Sequence, residues 1–261
     1  SYRMAQQMMW QAFQLADRQS RARVLGLSPA PLWGPFGSER MRQAPVLYGY
    51  SPAVIPPPPD WEGRAIVTGY WMAAPDEAWE PPSDLARFLE GGDPPVYVGF
   101  GSMSSRHPEQ TADLVLGALA RTGRRGIVLS GWGGIVPSGV SASVYVLDGA
   151  PFGWLFPRMA AVVHHGGAGT TAEGMRAGVP SVIVPFFGDQ PFWGRRVAAL
   201  GVGPSPIPRR RLTIDNLAAA IEEACSDGAM RECAKELGAR IQAENGVARA
   251  VEAIEGLYPV R

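Results

Sequence analysis

Val162-Val-His-His-Gly-Gly-Ala-Gly-Thr-Thr-Ala-Glu-Gly174 decides how this chain is read. Residues 160–163 are apolar and short, the texture of a buried strand. Two histidines and a glycine-rich turn follow, and the turn opens into a helix expected from near Thr170. A helix that starts directly from such a turn leaves its first N–H groups unpaired, with the positive end of the helix dipole behind them. An anion is favoured there. Gly166, Gly167 and Gly169 carry no Cβ to hold a phosphate away from the main chain. Thr170 and Thr171 add hydroxyl donors, and His165 adds a charge-assisted one. Glu173, one helical turn beyond Thr170, is placed to accept hydrogen bonds from a sugar diol. The pattern is that of a cradle for a diphosphate with an attached ribose, as in a nucleotide sugar. Neither Gly-x-Gly-x-x-Gly nor Gly-x-x-x-x-Gly-Lys-Ser/Thr occurs in the stretch, which argues against dinucleotide and P-loop sites. Taken alone, the same turn could serve only to pack a helix on a sheet, with His164 and His165 as core residues.

Outward from this stretch, apolar strands and helices alternate. Strands are expected at 65–69, 95–101, 126–130, 144–147, 160–164 and 181–186. Helices are expected at 83–90, 108–122, 170–177, 191–200, 213–226, 229–243 and 246–257. Strands that lack polar alternation and are separated by helices indicate a parallel sheet covered on both faces. The fold class is therefore α/β, a doubly wound, Rossmann-like parallel sheet. Ligands in such sheets bind outside the carboxyl ends of the strands. Ser102, Leu147, His165 and Asp189 each fall just after a strand, so one composite site is expected at that edge. Before this region, residues 3–25 read as an amphipathic helix and 46–50 as a short strand. The run Ile55-Pro-Pro-Pro-Pro-Asp60 is a stiff spacer. These features divide the chain into residues 1–50, a proline-rich linker at 51–62, and a main domain at 63–261.

Four further stretches extend the site. Gly99-Phe-Gly-Ser-Met103 ends a strand with small residues and offers Ser102 as a donor. Ser130-Gly-Trp-Gly-Gly134 isolates Trp132 among glycines, where an indole can stack on a base. Tyr145-Val-Leu-Asp148 ends a strand whose backbone at Val146 or Leu147 can read a base edge. Pro185-Phe-Phe-Gly-Asp-Gln190 brings Asp189 and Gln190 together at another strand end, suited to neighbouring hexose hydroxyls, with a helix N-cap as Asp189's other role.

Composition narrows the class of function. The 261 residues carry 24 basic and 24 acidic side chains, a balance that disfavours nucleic acid or an acidic membrane surface as the main partner. Lys235 is the only lysine, and Arg209-Arg-Arg211 the one basic run, read as a solvated loop. Cys225 and Cys233 are spaced as separate thiols, and His107, His164 and His165 form no metal-ligand pattern with them. No apolar run is long enough to span a bilayer. A cytoplasmic location is expected, including a peripheral position at a membrane.

The chain resembles the carboxy-terminal, donor-binding half of the GT-B glycosyltransferases, in particular the sterol 3β-glucosyltransferase-like group. Residues 146–156, His164-His-Gly-Gly-Ala-Gly-Thr-Thr171, Gly178-Val-Pro180, Val184-Pro-Phe-Phe-Gly-Asp-Gln-Pro-Phe-Trp-Gly-Arg195 and Val67-Thr-Gly-Tyr-Trp71 carry the resemblance, which covers about residues 45–258. It implies stacking of uracil on Trp132, with hydrogen bonds from the backbone at Val146 or Leu147. It places the ribose on Glu173. His165, Gly167, Ala168, Gly169 and Thr170 would take the diphosphate, with Ser102 nearby. Asp189 and Gln190 would take the glucose hydroxyls. It further implies inversion at the anomeric carbon, UDP-glucose as donor substrate, and neither metal nor cofactor.

Family members carry an amino-terminal acceptor domain that supplies the catalytic base. Here only its tail is expected, in residues 1–50, so no catalytic residue is assigned within the chain, and His107 and His165 do not replace the base. Ser1 in place of Met fits an excised piece of a longer protein. The expected partners are a nucleotide-sugar donor and an acceptor domain, either of the same polypeptide or a separate subunit. Two alternatives stay open: a stand-alone nucleotide-sugar-binding subunit of a split transferase, and a natural-product glycosyltransferase using a dTDP-sugar.

Overall fold

The computed structural model describes residues 2–39, 44–61, 65–73, 78–101, 108–130 and 141–257. They form two compact units. One comprises Ser1–Tyr48 with Pro58–Ile66, the other Gly49–Pro57 with Val67–Arg261. The stretch expected as a linker is thus shared. Val54 is fully buried in the large unit beside Met175, Trp193 and Val197. Its carbonyl accepts from Arg196, and Ser51 Oγ donates to Glu244 at 2.7 Å.

In the small unit, α1 (Tyr2–Arg23) matches the expected amphipathic helix. Trp10 and Gln11 both donate to the Leu32 carbonyl, at 3.1 and 3.0 Å, so the proline-containing return lies along the helix. Met4, Met8, Met9, Phe13 and Leu15 of α1 stay exposed. The short strands β1 (Val46–Tyr48) and β2 (Ala65–Val67) form a two-stranded ribbon, and Tyr48 stacks on Trp61 with ring centroids 4.5 Å apart.

The large unit is the doubly wound sheet. Its strands are β3 (Val96–Gly99), β4 (Gly126–Leu129), β5 (Val144–Leu147), β6 (Ala161–His164) and β7 (Ser181–Ile183). They lie in the order β5-β4-β3-β6-β7 and every pairing is parallel. Side chains alternate between faces along a strand. Val96, Val98, Val163 and Val182 face α3 (Pro108–Thr122) and α7 (Ile214–Ser226), where they pack with Leu119, Leu217 and Ile221. Tyr97, Ile127 and Val162 face the other way, onto Leu85 of α2 (Ser83–Glu90) and Leu155 of α4 (Phe152–Leu155). Ile183 packs on the same side against α5 (Ala168–Arg176), α6 (Gln190–Ala199) and α8 (Gly228–Gln242) through Met175, Trp193 and Leu237. Both faces are covered, and that is why the strand sequences show no polar alternation.

The helices expected from Thr170 and residue 191 begin at Ala168 and Gln190. α4 was not expected: four residues are too few to show a helical period, and it is held by the stack of Phe152 on Phe156 at 4.5 Å. α8 crosses the end of α5 closely, since a Cβ on Gly238 would stand 2.7 Å from the Gly178 Cα. Gln242 Nε2 donates to the Arg176 carbonyl at 2.6 Å there. The last helix, α9, spans Gly246–Leu257. Among the described residues no helix is long and apolar enough to cross a membrane.

Candidate functional site

From β3 the sheet grows outward to β4 and β5, and from β6 it grows the opposite way to β7. The carboxyl ends of β3 and β6 are therefore the point where strand order reverses, the place where open parallel sheets bind ligands. Gly101 follows β3 with φ +59°, and a Cβ on it would lie 3.5 Å from His165 Cε1. His165 follows β6, and its ring covers Gly167, where a Cβ would come 2.5 Å from Nε2. Gly166 has φ +86°, and its Cβ would meet Ile183 Cγ2 at 2.7 Å and the Gln190 carbonyl at 3.2 Å. The turn is thus wedged between β7 and the start of α6.

The amides of α5 face outward from this wedge. Gly167 is its N-cap and has no side chain to satisfy them. The Thr171 N–H is the first to bond back, to the Gly167 carbonyl at 2.9 Å. Helix geometry leaves the N–H groups of Ala168, Gly169 and Thr170 without an intrahelical acceptor. No described residue lies within 4 Å of the position a Gly169 Cβ would take. Thr171 corrects the expectation of two hydroxyl donors. Its side chain is buried and donates to the Gly167 carbonyl at 2.9 Å, so it holds the turn, and Thr170 alone is left as a donor.

His164 and His165 differ in environment. His164 is fully buried, and its Nδ1 accepts from the Gly166 N–H at 3.1 Å. Burial, with a smaller contribution from His165, drives its imidazole down to about 3, so the ring is neutral. His165 is half-buried. Burial lowers its affinity for a proton, and the Asp189 carboxylate opposes that in part. The free protein thus keeps His165 neutral at pH 7, whereas a bound diphosphate would favour the imidazolium. Binding should take up a proton, and affinity should rise as pH falls through the bound-state value and level off below the free-state value. UDP-glucose suits the measurement, because its diphosphate diester does not titrate near neutrality. Calorimetry at pH 7 in buffers of different ionisation enthalpy should show net proton uptake, and none in His165→Gln. Uptake unchanged in His165→Gln would assign the proton elsewhere.

The other expected residues fall around the same edge. Glu173 is half-buried on α5, and Arg176 donates to its Oε2 from Nε and Nη2 at 3.1 and 3.0 Å. Both contacts use one oxygen, which leaves Oε1 to accept from a ligand. Asp189 is exposed and makes no side-chain cap; its Oδ2 accepts from Trp193 Nε1 at 2.9 Å. Gln190 is buried, and its Oε1 accepts from the Phe186 and Phe187 N–H groups at 2.7 and 3.1 Å, bracing the loop that carries Asp189. β5 is the outer strand of the described sheet, and Ser130 N–H donates to the Leu147 carbonyl at 2.9 Å. In a parallel ladder successive residues turn their backbone groups to opposite sides. The Val146 N–H and C=O therefore face the open edge, while those of Leu147 face β4. Ser102, Trp132 and His107 lie outside the described residues. Arg176 and Trp193, which orient Glu173 and Asp189, were not anticipated. Their spacing of three and four residues from those acids on a helix was the available signal.

Comparison with known proteins agrees with this fold. Residues 134–257 match the family model described as the erythromycin biosynthesis protein CIII-like, C-terminal domain. A sterol 3-beta-glucosyltransferase of Arabidopsis thaliana is 43% identical over 255 residues, 97% of this chain and 40% of the relative. The O-mycaminosyltylonolide 6-deoxyallosyltransferase of Streptomyces fradiae is 41% identical over 227 residues, 85% of this chain and 53% of the relative. The chain thus spans about half, or less, of these curated relatives. In fold it is similar to the crystal structure of the glycotransferase of kitacinnamycin, with a TM-score of 0.68 at 23% identity, over 96% of this chain and 62% of that one. By sequence and by fold, the chain belongs to the GT-B glycosyltransferases, as a carboxy-terminal domain of the erythromycin CIII-like type.

Proposed function

We propose that this chain is the donor-binding half of an enzyme that transfers glucose from UDP-glucose to a sterol-like or other lipophilic hydroxyl, with inversion. One observation carries the reading: three amides at the start of α5 that have no acceptor within the helix, flanked by His165 and, among the described residues, open at Gly169. A diphosphate fits that set, and as the glycosidic bond breaks the same amides hold the charge that develops on the departing UDP. Glu173 takes the ribose, Val146 the base edge, and Asp189 the hexose. Its similarity to sterol 3-beta-glucosyltransferases supports the acceptor class. The base that deprotonates the acceptor is contributed by an acceptor domain. A lipophilic acceptor supports a peripheral position at a membrane surface.

The chain by itself should bind UDP and UDP-glucose in a calorimeter, with or without EDTA, since amides, hydroxyls and His165 handle the charge in place of a cation. It should transfer no glucose to a sterol. EDTA-sensitive binding would call for a metal, and transfer by the 261 residues alone would place the base within them. The similarity to a 6-deoxyallosyltransferase favours a second reading, a natural-product transferase using a dTDP-deoxyhexose. Tighter binding of dTDP-sugars than of UDP-sugars in the same titrations would select it.

A further inference from the structure

His164 is costly to keep where it is. The ring is fully buried at the end of β6, in register with Gly99 of β3 and Ile183 of β7. Its Nδ1 accepts from the Gly166 N–H, so the ring proton sits on Nε2. Nε2 is buried and has no hydrogen-bond partner among the described residues. An apolar side chain would avoid that unsatisfied donor. What a hydrocarbon could not supply is the acceptor for Gly166, the residue whose positive φ turns the chain from β6 into α5.

We infer that His164 is a positioning residue for the anion cradle: its Nδ1 fixes the Gly166 amide, and with it the direction in which the amides of Ala168, Gly169 and Thr170 point. The inference rests on the donor-site reading above. By engaging the Gly166 N–H it also removes that group from the set a phosphate can use, which leaves the first-turn amides of α5 as the receptors. His164 touches no ligand, and its ring stays neutral throughout the working pH range.

Asparagine separates positioning from filling. Its Oδ1 stands at the same bond distance from the backbone as Nδ1 of histidine and can accept from the amide two residues on. Leucine fills the site without an acceptor, and glutamine carries its acceptor one bond too far. His164→Asn should bind UDP within about threefold of the unaltered chain, and His164→Leu and His164→Gln should each lose tenfold or more. The Gly166 amide, followed by NMR hydrogen exchange, should remain protected in His164→Asn and lose protection in the other two. If His164→Leu fails to fold, His164→Gln makes the same comparison. Equal affinities for the asparagine and glutamine variants, or undiminished affinity in His164→Leu, would overturn the inference. If the unaltered chain bound no UDP, the donor reading would fall, and protection of Gly166 that survives in His164→Leu or His164→Gln would independently refute the hydrogen bond.

Discussion

Gly166→Ala should cost about 2–5 kcal/mol of stability and eliminate measurable UDP binding. The first contribution is conformational: φ of +86° is natural for glycine and costs an alanine about 1–2 kcal/mol. The second is steric. The new methyl would lie 2.7 Å from Ile183 Cγ2 and 3.2 Å from the Gln190 carbonyl, and forced overpacking of this kind costs roughly 1–3 kcal/mol. The isoleucine tip can move; the backbone oxygen that starts α6 cannot without shifting the helix. Gly169→Ala is the matched control. It has no described neighbour within 4 Å and ordinary helical backbone, so it should fold as well as the parent, with a helix-propensity gain of up to about 1 kcal/mol. Its methyl would instead intrude on the space where an anion must sit. Thermal unfolding and UDP titration of both variants test this. Equal stability of the two would remove the wedge from the account.

Glu173→Ala should weaken UDP and UDP-glucose equally, by about 1.5–3 kcal/mol, the range for losing a charged hydrogen-bond partner. The ribose is common to both ligands, and Arg176 already holds the carboxylate by one oxygen, so that on the proposed reading the other would meet the ribose in fixed geometry. Glu173→Gln keeps an acceptor and should lose less. Gln190→Ala should behave differently. Its side chain braces Phe186 and Phe187, while its contact with Gly166 is made by its backbone and Cβ, which alanine retains. UDP affinity should survive, and discrimination between UDP-glucose and UDP-galactose should diminish by about 0.5–1.5 kcal/mol as the loop with Asp189 loosens. An equal loss of UDP affinity in Glu173→Ala and Gln190→Ala would show that the two residues do not serve separate parts of the donor.

Much of this was legible from periodicity and punctuation. The strands around Val98, Val163 and Val182 are apolar on both faces because both faces are buried, and glycines mark where α5 and α6 begin and end. The strand order was not written in any one segment. It depends on which strands pair across more than 30 residues, as Gly99 does with His164. The residues of the strand-end turns could be named because each lies at a strand–helix junction. Their partners could not: whether Thr171 faces a ligand or the Gly167 carbonyl, and whether Gln190 reaches outward or back to Phe186, is decided by rotamers and packing. The same holds for His164 and His165, adjacent in sequence but placed by strand alternation in the core and at the cradle.

The close approach of Gly238 to Gly178 has a thermodynamic side. α5 is clamped at its far end by that crossing and by Gln242 on the Arg176 carbonyl, and at its near end by Gly166 between Ile183 and Gln190. A strut gripped at both ends resists sliding and rotation as a ligand arrives. Its amides hold their aim beforehand, so little ordering entropy is lost when a diphosphate arrives. On the proposed reading, the part that adapts to the sugar is the exposed loop at Phe187 and Asp189. With the donor bound as proposed, this division would assign tightness to the helix and choosiness to the loop, so evolution could revise the sugar accepted without loosening the grip on the nucleotide.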